Sequence, residues 1–551
     1  MKRDIKEMRS SANTYTSADK TSNFYKIPKE QYNHFKNNAI TSMYKKTNSK
    51  VKQSIDKSGI KFARKTGVIN RMETNGSNNC FITLKDHKSN FENNPSTRLI
   101  NPAKNEIGRI SKSILDKINS NLKISLGINQ WKNTTSVVDW FKSIPDKSRH
   151  SFVIFDIKDF YPSIKEALLK EALAFAQGFI NIASNDIEVV FHARKSLLFD
   201  GNDTWMKKDG LFDVTMGAYD GAEICELIGT YLLSIIIKYY DKSNIGLYRD
   251  DGLAVFKNAS GPQNERIKKV LQKIFKEKFL SIEIECNKKI VNYLDVTLNL
   301  NDGSYKPYHK DTDETNYIHS SSDHPPNIIK QIPISIEKRL STLSSSKQIF
   351  DESKKHYQEA LNRCGYTHTL NYTPVDTSRR QKRSRNIIWF NPPFSRTVST
   401  NIGKSFLNLI DKHFPRSHKF RKLFNRNNIK VSYGCMGNFG SIINSHNQKV
   451  LTTNSKLQLG KCNCRVKSSC PLNGHCLTEN VLYQATITST LPNYNSKIYK
   501  GISYLPFKLR YRNHIKAFNN QRYRNDCELS KEVWCIKDLG GSFDIKWQVL
   551  L

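Results

Sequence analysis

The chain has 551 residues, 38% of them hydrophobic, which is room for about two to four domains with a sizeable core. Its 87 Lys and Arg against 50 Asp and Glu leave a net charge of +37, spread along the chain, and that excess implies a polyanionic partner: nucleic acid first, an anionic membrane surface second. No apolar run is long enough to span a bilayer and no N-terminal stretch reads as a secretory signal, so a membrane span and an oxidised framework for the 11 Cys are not expected.

In chain order, residues 1–75 are polar and basic and read as a helical extension, with helical periodicity from Tyr32 to Lys65. Residues 1–20 read equally well as a partly disordered arm. Cys80 to Lys112 reads as a strand, a polar loop, a second strand around Thr97–Ile100 and a helix from about Glu106. Trp131 to Phe141 is a helical segment whose two Trp are expected in the core. Ser151 to Phe155 is a buried-strand run with Asp156 at its end. Glu166 to Phe175 reads as an amphipathic helix. Met216-Gly217-Ala218-Tyr219-Asp220-Gly221 then leads into a long helical run from Ala222 to Tyr240, and its glycines permit close backbone approach to a ligand.

Leu247 to Phe256 reads as a β-hairpin, two apolar runs around a polar turn that ends in Asp-Gly. The adjacent carboxylates of Asp250 and Asp251 raise each other's pKa unless a cation lies between them, and a divalent metal suits oxygen ligands. Taken alone, a solvated Asp-Gly turn explains the segment as well. Glu265 to Lys278 reads as a basic amphipathic helix, and Val291 to Leu298 as a strand in which Asp295 is structural. Pro325-Pro326 and Pro392-Pro393 punctuate the next region. The run Arg379-Arg380-Gln381-Lys382-Arg383-Ser384-Arg385 suits nuclear import, nucleic-acid contact or a solvated loop.

Near the C-terminus, Cys462, Cys464, Cys470 and Cys476 cluster in an otherwise Cys-poor chain. Four thiolates in such a span suit a tetrahedral Zn²⁺ site, with a reduced, metal-free loop as the alternative. Val481 to Ala485 and Lys497 to Gly501 read as a hairpin. Lys508 to Phe518 reads as a helix that places Arg510 and His514 on one face. Leu529 to Leu539 reads as a further helix, and Phe543 to Leu550 as a strand.

A carboxylate at a strand end, followed by an Asp-Asp hairpin, is the layout of a polymerase palm. The two segments resemble motifs A and C of reverse transcriptases. The wording of Phe81-Ile82-Thr83-Leu84-Lys85-Asp86-His87-Lys88, Arg98-Leu99-Ile100-Asn101-Pro102-Ala103-Lys104, Met216 to Glu223 and Tyr248-Arg249-Asp250-Asp251-Gly252 resembles the Penelope-like retroelement class. So does that of Trp389-Phe390-Asn391-Pro392-Pro393 and Thr400-Asn401-Ile402-Gly403-Lys404, to which no chemistry attaches. The last segment is similar to a GIY-YIG endonuclease module.

The resemblance implies an α+β fold: a right-hand polymerase of fingers, palm and thumb, followed by a small zinc-associated α/β GIY-YIG-like domain. The boundaries are a helical extension at 1–75, fingers and palm at 76–305, thumb and connector at 306–450, a Cys-rich motif at 458–480 and the nuclease-like part at 481–551. Asp156, Asp250 and Asp251 would hold Mg²⁺ or Mn²⁺ for two-metal nucleotidyl transfer. Tyr161 would exclude a ribose 2′-OH, or else packs with Pro162 in the core. Arg98 and Lys85 would hold the triphosphate, or else touch template backbone. Gly217 and Ala218 would contact nucleotide and template. Tyr483, Tyr499, Arg510 and His514 would form the nuclease site, with a basic nucleic-acid-binding helix as the alternative. The metal-binding Glu of such modules lies past the last strand, so an incomplete, inactive nuclease is expected. Partners would be an RNA template, a DNA primer or target, and dNTPs, in the nucleus after synthesis in the cytoplasm. The contrasting expectation is a decayed retroelement protein that binds nucleic acid without catalysis.

Overall fold

A computed structural model describes residues 2–72, 78–88, 90–309, 315–374, 387–434, 438–452, 462–464, 466–479 and 481–550. The basic run from Arg379 to Arg385 lies outside them.

Strands β1 (Phe81–Leu84) and β2 (Thr97–Ile100) form an antiparallel ribbon. Then follow α1 (Gly108–Leu126), β3 (Asn129–Gln130), β4 (His150–Ile157), α2 (Glu166–Gln177), α3 (Gly221–Ile236), β5 (Ile245–Tyr248), β6 (Asp251–Lys257), α4 (Gly261–Glu277) and β7 (Ile282–Lys288). The central sheet has the order β7-β4-β6-β5-β3, antiparallel except where β5 meets β3. A capping box between Ser260 and Gln263 starts α4.

Both faces of this sheet are covered, which explains the nearly continuous apolar runs of β4 and β6. Alternation sends Val153, Phe155, Ile157 and Ala254 into one core, shared with α1, α2, α3 and α4. Phe152, Leu253 and Val255 point to the opposite face, against Trp131, Trp140 and Phe141. That face is closed by a second sheet of β8 (Ile290–Tyr293), β9 (Val296–Asn299) and β10 (Tyr305–Pro307). Both Trp are buried, as expected of core residues. Asp295 is structural: it bonds Thr134 and pairs with Arg339.

Helices α5 (Pro326–Leu343) and α6 (Lys347–Arg363) form a hairpin around Leu340, Phe350 and Leu361. The last unit is the sheet of β11 (Val481–Ser489), β12 (Lys497–Ser503) and β13 (Phe543–Val549), in the order β12-β11-β13. Between β12 and β13 run α7 (Phe507–Asn519) and α8 (Glu528–Asp538), which pack Phe518, Leu529 and Val533 on one face of the sheet.

The N-terminal arm differs from the disordered alternative. Thr14–Ser17 pairs with Phe24–Ile27, and Thr14 is fully buried. Polar residues form a strand there because distant groups satisfy them. The Thr14 hydroxyl donates to Ile27 O at 3.1 Å, and the Tyr15 N–H donates to Asn447 Oδ1 at 2.8 Å. Among the described residues, no helix is long and apolar enough to cross a membrane.

Candidate active site

Asp156 lies directly opposite Asp251 across the β4–β6 ladder. Their strand parity puts both on one face of the sheet, the face of Phe152, Leu253 and Val255. The hairpin loop is Arg249–Asp250, closed by the Tyr248–Asp251 pair. The turn therefore falls before the Asp-Gly pair rather than on it. Gly252 serves packing instead: a Cβ there would lie 2.1 Å from the Phe155 ring. Arg249 takes a left-handed backbone, φ 54°, a strained conformation for a side-chain-bearing residue.

Two bonds fix this loop on its neighbours. The Ile157 N–H donates to Asp250 O at 3.0 Å, and the buried Tyr293 hydroxyl donates to Asp251 O at 2.6 Å. The carboxylates thus sit on a framework held by main-chain bonds.

Their electrostatics are those of a concentrated negative site. Burial raises the Asp156 carboxyl, reinforced by Asp250 and Glu283. Burial, with Asp250 and Asp156, pushes Asp251 up to about 7. Asp156 and Asp251, each raised with Asp250 beside them, form with it a donor set of hard oxygens, which fits a divalent cation. Glu283 stands opposite Asp156 on β7, but Lys158 binds it at 2.7 Å and holds it low.

Sequence reasoning missed the cations that face this cluster. Lys20 lowers both Asp156 and Asp251, and Lys88 lowers Asp156. Lys20 comes from the N-terminal arm, which Asp86 anchors by accepting from Thr21 (2.5 Å), Asn23 (3.0 Å) and Tyr25 (3.0 Å). Lys85 follows β1, its N–H donating to Ser96 O at 2.9 Å. Arg98 on β2 pairs with Asp19 at 3.1 Å, which commits one of its terminal nitrogens to the arm.

Tyr161 sits in the short helix Phe160–Ser163. It packs half-buried against the core, hydrogen-bonded with the Cys225 thiol and within range of the Arg249 and Asp250 charges. Burial raises its phenol, so the ring is a neutral wall beside the carboxylates.

The loop that carries Gly217 and Ala218 is built on polar bonds. The Ala218 N–H donates to Thr215 O at 3.3 Å. Gly217 has φ +107°, and a Cβ there would lie 2.5 Å from Asn101 O. Asp220, at the N-cap of α3, is fully buried, bonded by Arg194 and by the Ser111 hydroxyl. Arg194 is 1% exposed, and its Nε and Nη1 have no hydrogen-bond partner among the described residues. A guanidinium this buried stays folded only because Asp220 balances it.

The thiols of Cys462, Cys464, Cys470 and Cys476 converge, all four sulfurs within 4.8 Å of one another. Three sulfur pairs stand at 3.5 Å, close to the ~3.8 Å edge of a tetrahedron with 2.3 Å metal–sulfur bonds. Backbone N–H groups of Cys464 and Gly474 point at the sulfurs of Cys462 (3.3 Å) and Cys470 (3.1 Å), as outer-shell donors to thiolates do. This donor set fits Zn²⁺. The loop is tied to α7: the Lys508 N–H donates to Cys476 O (2.6 Å) and the Phe507 N–H to Thr478 O (2.9 Å). The Lys508 ammonium also donates to Asn463 Oδ1 at 2.8 Å. A chelator is therefore expected to speed hydrogen exchange at Phe507 and Lys508 roughly tenfold or more. Unchanged exchange, with no zinc by elemental analysis, would remove the site.

The four C-terminal residues are brought together. Tyr483 and His514 share a 2.8 Å hydrogen bond, and Arg510 Nε donates to the Tyr483 hydroxyl at 3.0 Å. Tyr499 lies beside Tyr483, ring centroids 6.3 Å apart, and hydrogen-bonds with Arg510. Burial, with the Arg510 charge, lowers His514 to about 4, so it is neutral at neutral pH. A cavity of about 210 Å³ is lined by Arg510, the buried His514, Asp526 and Cys527. Cys527 Sγ lies 3.6 Å from His514 Nδ1, a contact that sequence reasoning did not find.

The animal helix-turn-helix domain family matches residues 316–373, which hold α5, α6 and the turn between them. No curated protein matches the chain. Among solved structures, the telomerase of Candida albicans in complex with a fragment of telomeric RNA is 13% identical, over 64% of this chain and 60% of that one, with a TM-score of 0.44. The apo telomerase of Candida tropicalis is 11% identical over 64% of each chain, TM-score 0.40. The RNA-dependent RNA polymerase of BmCPV at elongation state is 9% identical, over 66% of this chain and 30% of that one, TM-score 0.35. The chain thus spans under two thirds of the length of these telomerases.

Proposed function

We propose that the chain is a template-directed nucleic-acid polymerase of the reverse-transcriptase kind, from a Penelope-like element, that copies RNA into DNA from dNTPs. The observation that carries this reading is the Asp156–Asp251 cross-strand pair with Asp250 in the adjoining turn. These three carboxylates would hold Mg²⁺ or Mn²⁺, which when bound supplies the charge that eases ionisation of a primer 3′-OH and departure of pyrophosphate. The chain's own part is positional. Main-chain bonds to Ile157 and Tyr293 hold the carboxylates in place, while Lys20 and Lys88 offset the negative charge that a triphosphate adds. Arg98 and Lys85, on the β1–β2 ribbon, serve the triphosphate or the template strand. Gly217 and Ala218 let backbone approach the incoming base. A nuclear location follows from this role and from the basic run at Arg379.

Tyr161 gives the reading a sharp test. Its ring stands beside Asp250, where bulk would meet a ribose 2′-OH. Tyr161→Ala is expected to raise ribonucleotide incorporation relative to deoxynucleotide by about 100-fold. Unchanged discrimination in single-nucleotide extension would take Tyr161 out of the site.

The convergence of Tyr483, Tyr499, Arg510 and His514 supports a second, GIY-YIG-like phosphodiester site. Arg510 would stabilise phosphorane charge, and the neutral His514 and Tyr483 would hold and pass a proton. The module is expected to be incomplete, so no metal-dependent nicking of supercoiled DNA is predicted; nicking that disappears in Arg510→Ala, with primer extension intact, would overturn that expectation and make the site an active one. Nicking retained in that variant excludes it.

A further inference from the structure

Two motifs that the palm does not use, Trp389 to Pro393 and Thr400 to Lys404, line one groove of about 690 Å³. Its frame is a parallel strand pair, Ile388–Phe390 with Ile429–Val431, packed against the helix Ile402–His413. Phe390 turns inward and stacks on Phe406, ring centroids 3.9 Å apart. Strand alternation sends its neighbour Trp389 the other way, and the indole is left 57% exposed on the groove wall. An indole this open gains little from the core, so its surface is available to a planar partner.

The charge around the groove decides what that partner is. Residues 387–434 carry nine Lys and Arg against a single acid, Asp411, while the whole chain has 87 against 50. Asp411 is itself paired with both Arg421 (3.1 Å) and Arg426 (2.5 Å), so little negative charge is left uncovered. Lys404, at the start of the helix, is exposed on the groove wall. An exposed aromatic ring with Lys404 on the same wall, in a segment rich in cations, suits an unpaired base with its phosphate. A duplex presents no free base face, so the fit is to a single strand. Polar side chains on the rim, among them Asn327, Ser399 and Thr400, offer partners for a ribose 2′-OH.

We propose that this groove binds single-stranded RNA, with one base stacked on Trp389 and the adjoining phosphate held by Lys404. The inference does not rest on the polymerase reading, because no residue of the groove belongs to the carboxylate site.

The test uses the full chain and an unstructured RNA of about 20 nucleotides that carries 4-thiouridine. Crosslinked peptides are read by mass spectrometry, and affinity by fluorescence anisotropy. Crosslinks within 387–434 are expected. Affinity should fall about tenfold in Trp389→Ala, much less in Trp389→Phe, and several-fold in Lys404→Glu with a shallower salt dependence. Binding of a blunt RNA duplex should be unchanged in all three, which also reports that the variants are folded. Crosslinks confined to other segments, or wild-type affinity in Trp389→Ala, would overturn the proposal. Equal competition by single-stranded DNA would overturn its assignment to RNA. Displacement of the RNA by polyglutamate at equal charge concentration would point to an acidic protein partner instead. Loss of primer extension in a palm variant that keeps these crosslinks leaves the groove intact and bears only on the polymerase.

Discussion

Asp251→Asn is expected to abolish metal-dependent nucleotide addition, by about 10³-fold or more, and at the same time to stabilise the metal-free protein. Both follow from one fact: burial and the adjoining Asp250 and Asp156 raise the Asp251 carboxyl from its ordinary range to about 7. The folded chain then binds a proton that the unfolded chain releases near pH 4, so stability is highest below about pH 4 for this group and falls as pH rises toward 7. In the metal-free wild type, this group therefore lowers the melting temperature between pH 5 and pH 8, and Mg²⁺ should restore it most at pH 8. The amide of Asp251→Asn has no such titration, so that loss should shrink and the response to Mg²⁺ weaken. Thermal melts at both pH values, with and without Mg²⁺, check the prediction. A variant as pH-sensitive and as Mg²⁺-responsive as the wild type would remove Asp251 from the metal set.

Arg194→Met is expected to cost about 3–5 kcal/mol. The guanidinium is buried against Asp220, and Asp220 stands at the N-cap position of the helix behind the Gly217 loop, its carboxylate turned to Arg194 and Ser111. Among the described residues, removal of Arg194 leaves the buried carboxylate with the Ser111 hydroxyl as its side-chain donor. The double variant Arg194→Met/Asp220→Asn keeps that hydroxyl contact and removes both charges, so it should recover most of the loss. A denaturation cycle of the two single variants and the double reads this directly. Additive losses would show that the pair is not coupled.

The strand and the hairpin that carry the three carboxylates were legible because each is local, while their meeting across the sheet was implied by the resemblance. Asp156 ends a run that can only be a buried strand, and Asp250 and Asp251 adjoin two apolar runs whose period forces a hairpin. Trp131, Trp140 and the thiol cluster were legible for the same reason of composition and spacing. What failed to show was made by tertiary contact. Asp-Gly is a favoured turn pair, yet the turn lies two residues back, and Phe155 covers Gly252 from the next strand. Lys20 reaches the carboxylates through an arm held by Asp86, and nothing near Lys20 in sequence signals that. Arg194 and Asp220 meet across a helix and a loop, so neither looked unusual alone. Thr14–Ser17 forms a strand through partners as distant as Asn447. In each case the deciding partner lies far along the chain, where periodicity carries no information.

The most direct measurement is Mg²⁺-dependent extension of a DNA primer on an RNA template by the wild-type chain and by Asp250→Asn. Extension by the wild type that is lost in Asp250→Asn, while template affinity stays within about twofold, is the predicted result. Extension that survives in Asp250→Asn, or tight template binding by the wild type with no extension at all, would contradict it. The second outcome would leave a protein that holds nucleic acid without copying it.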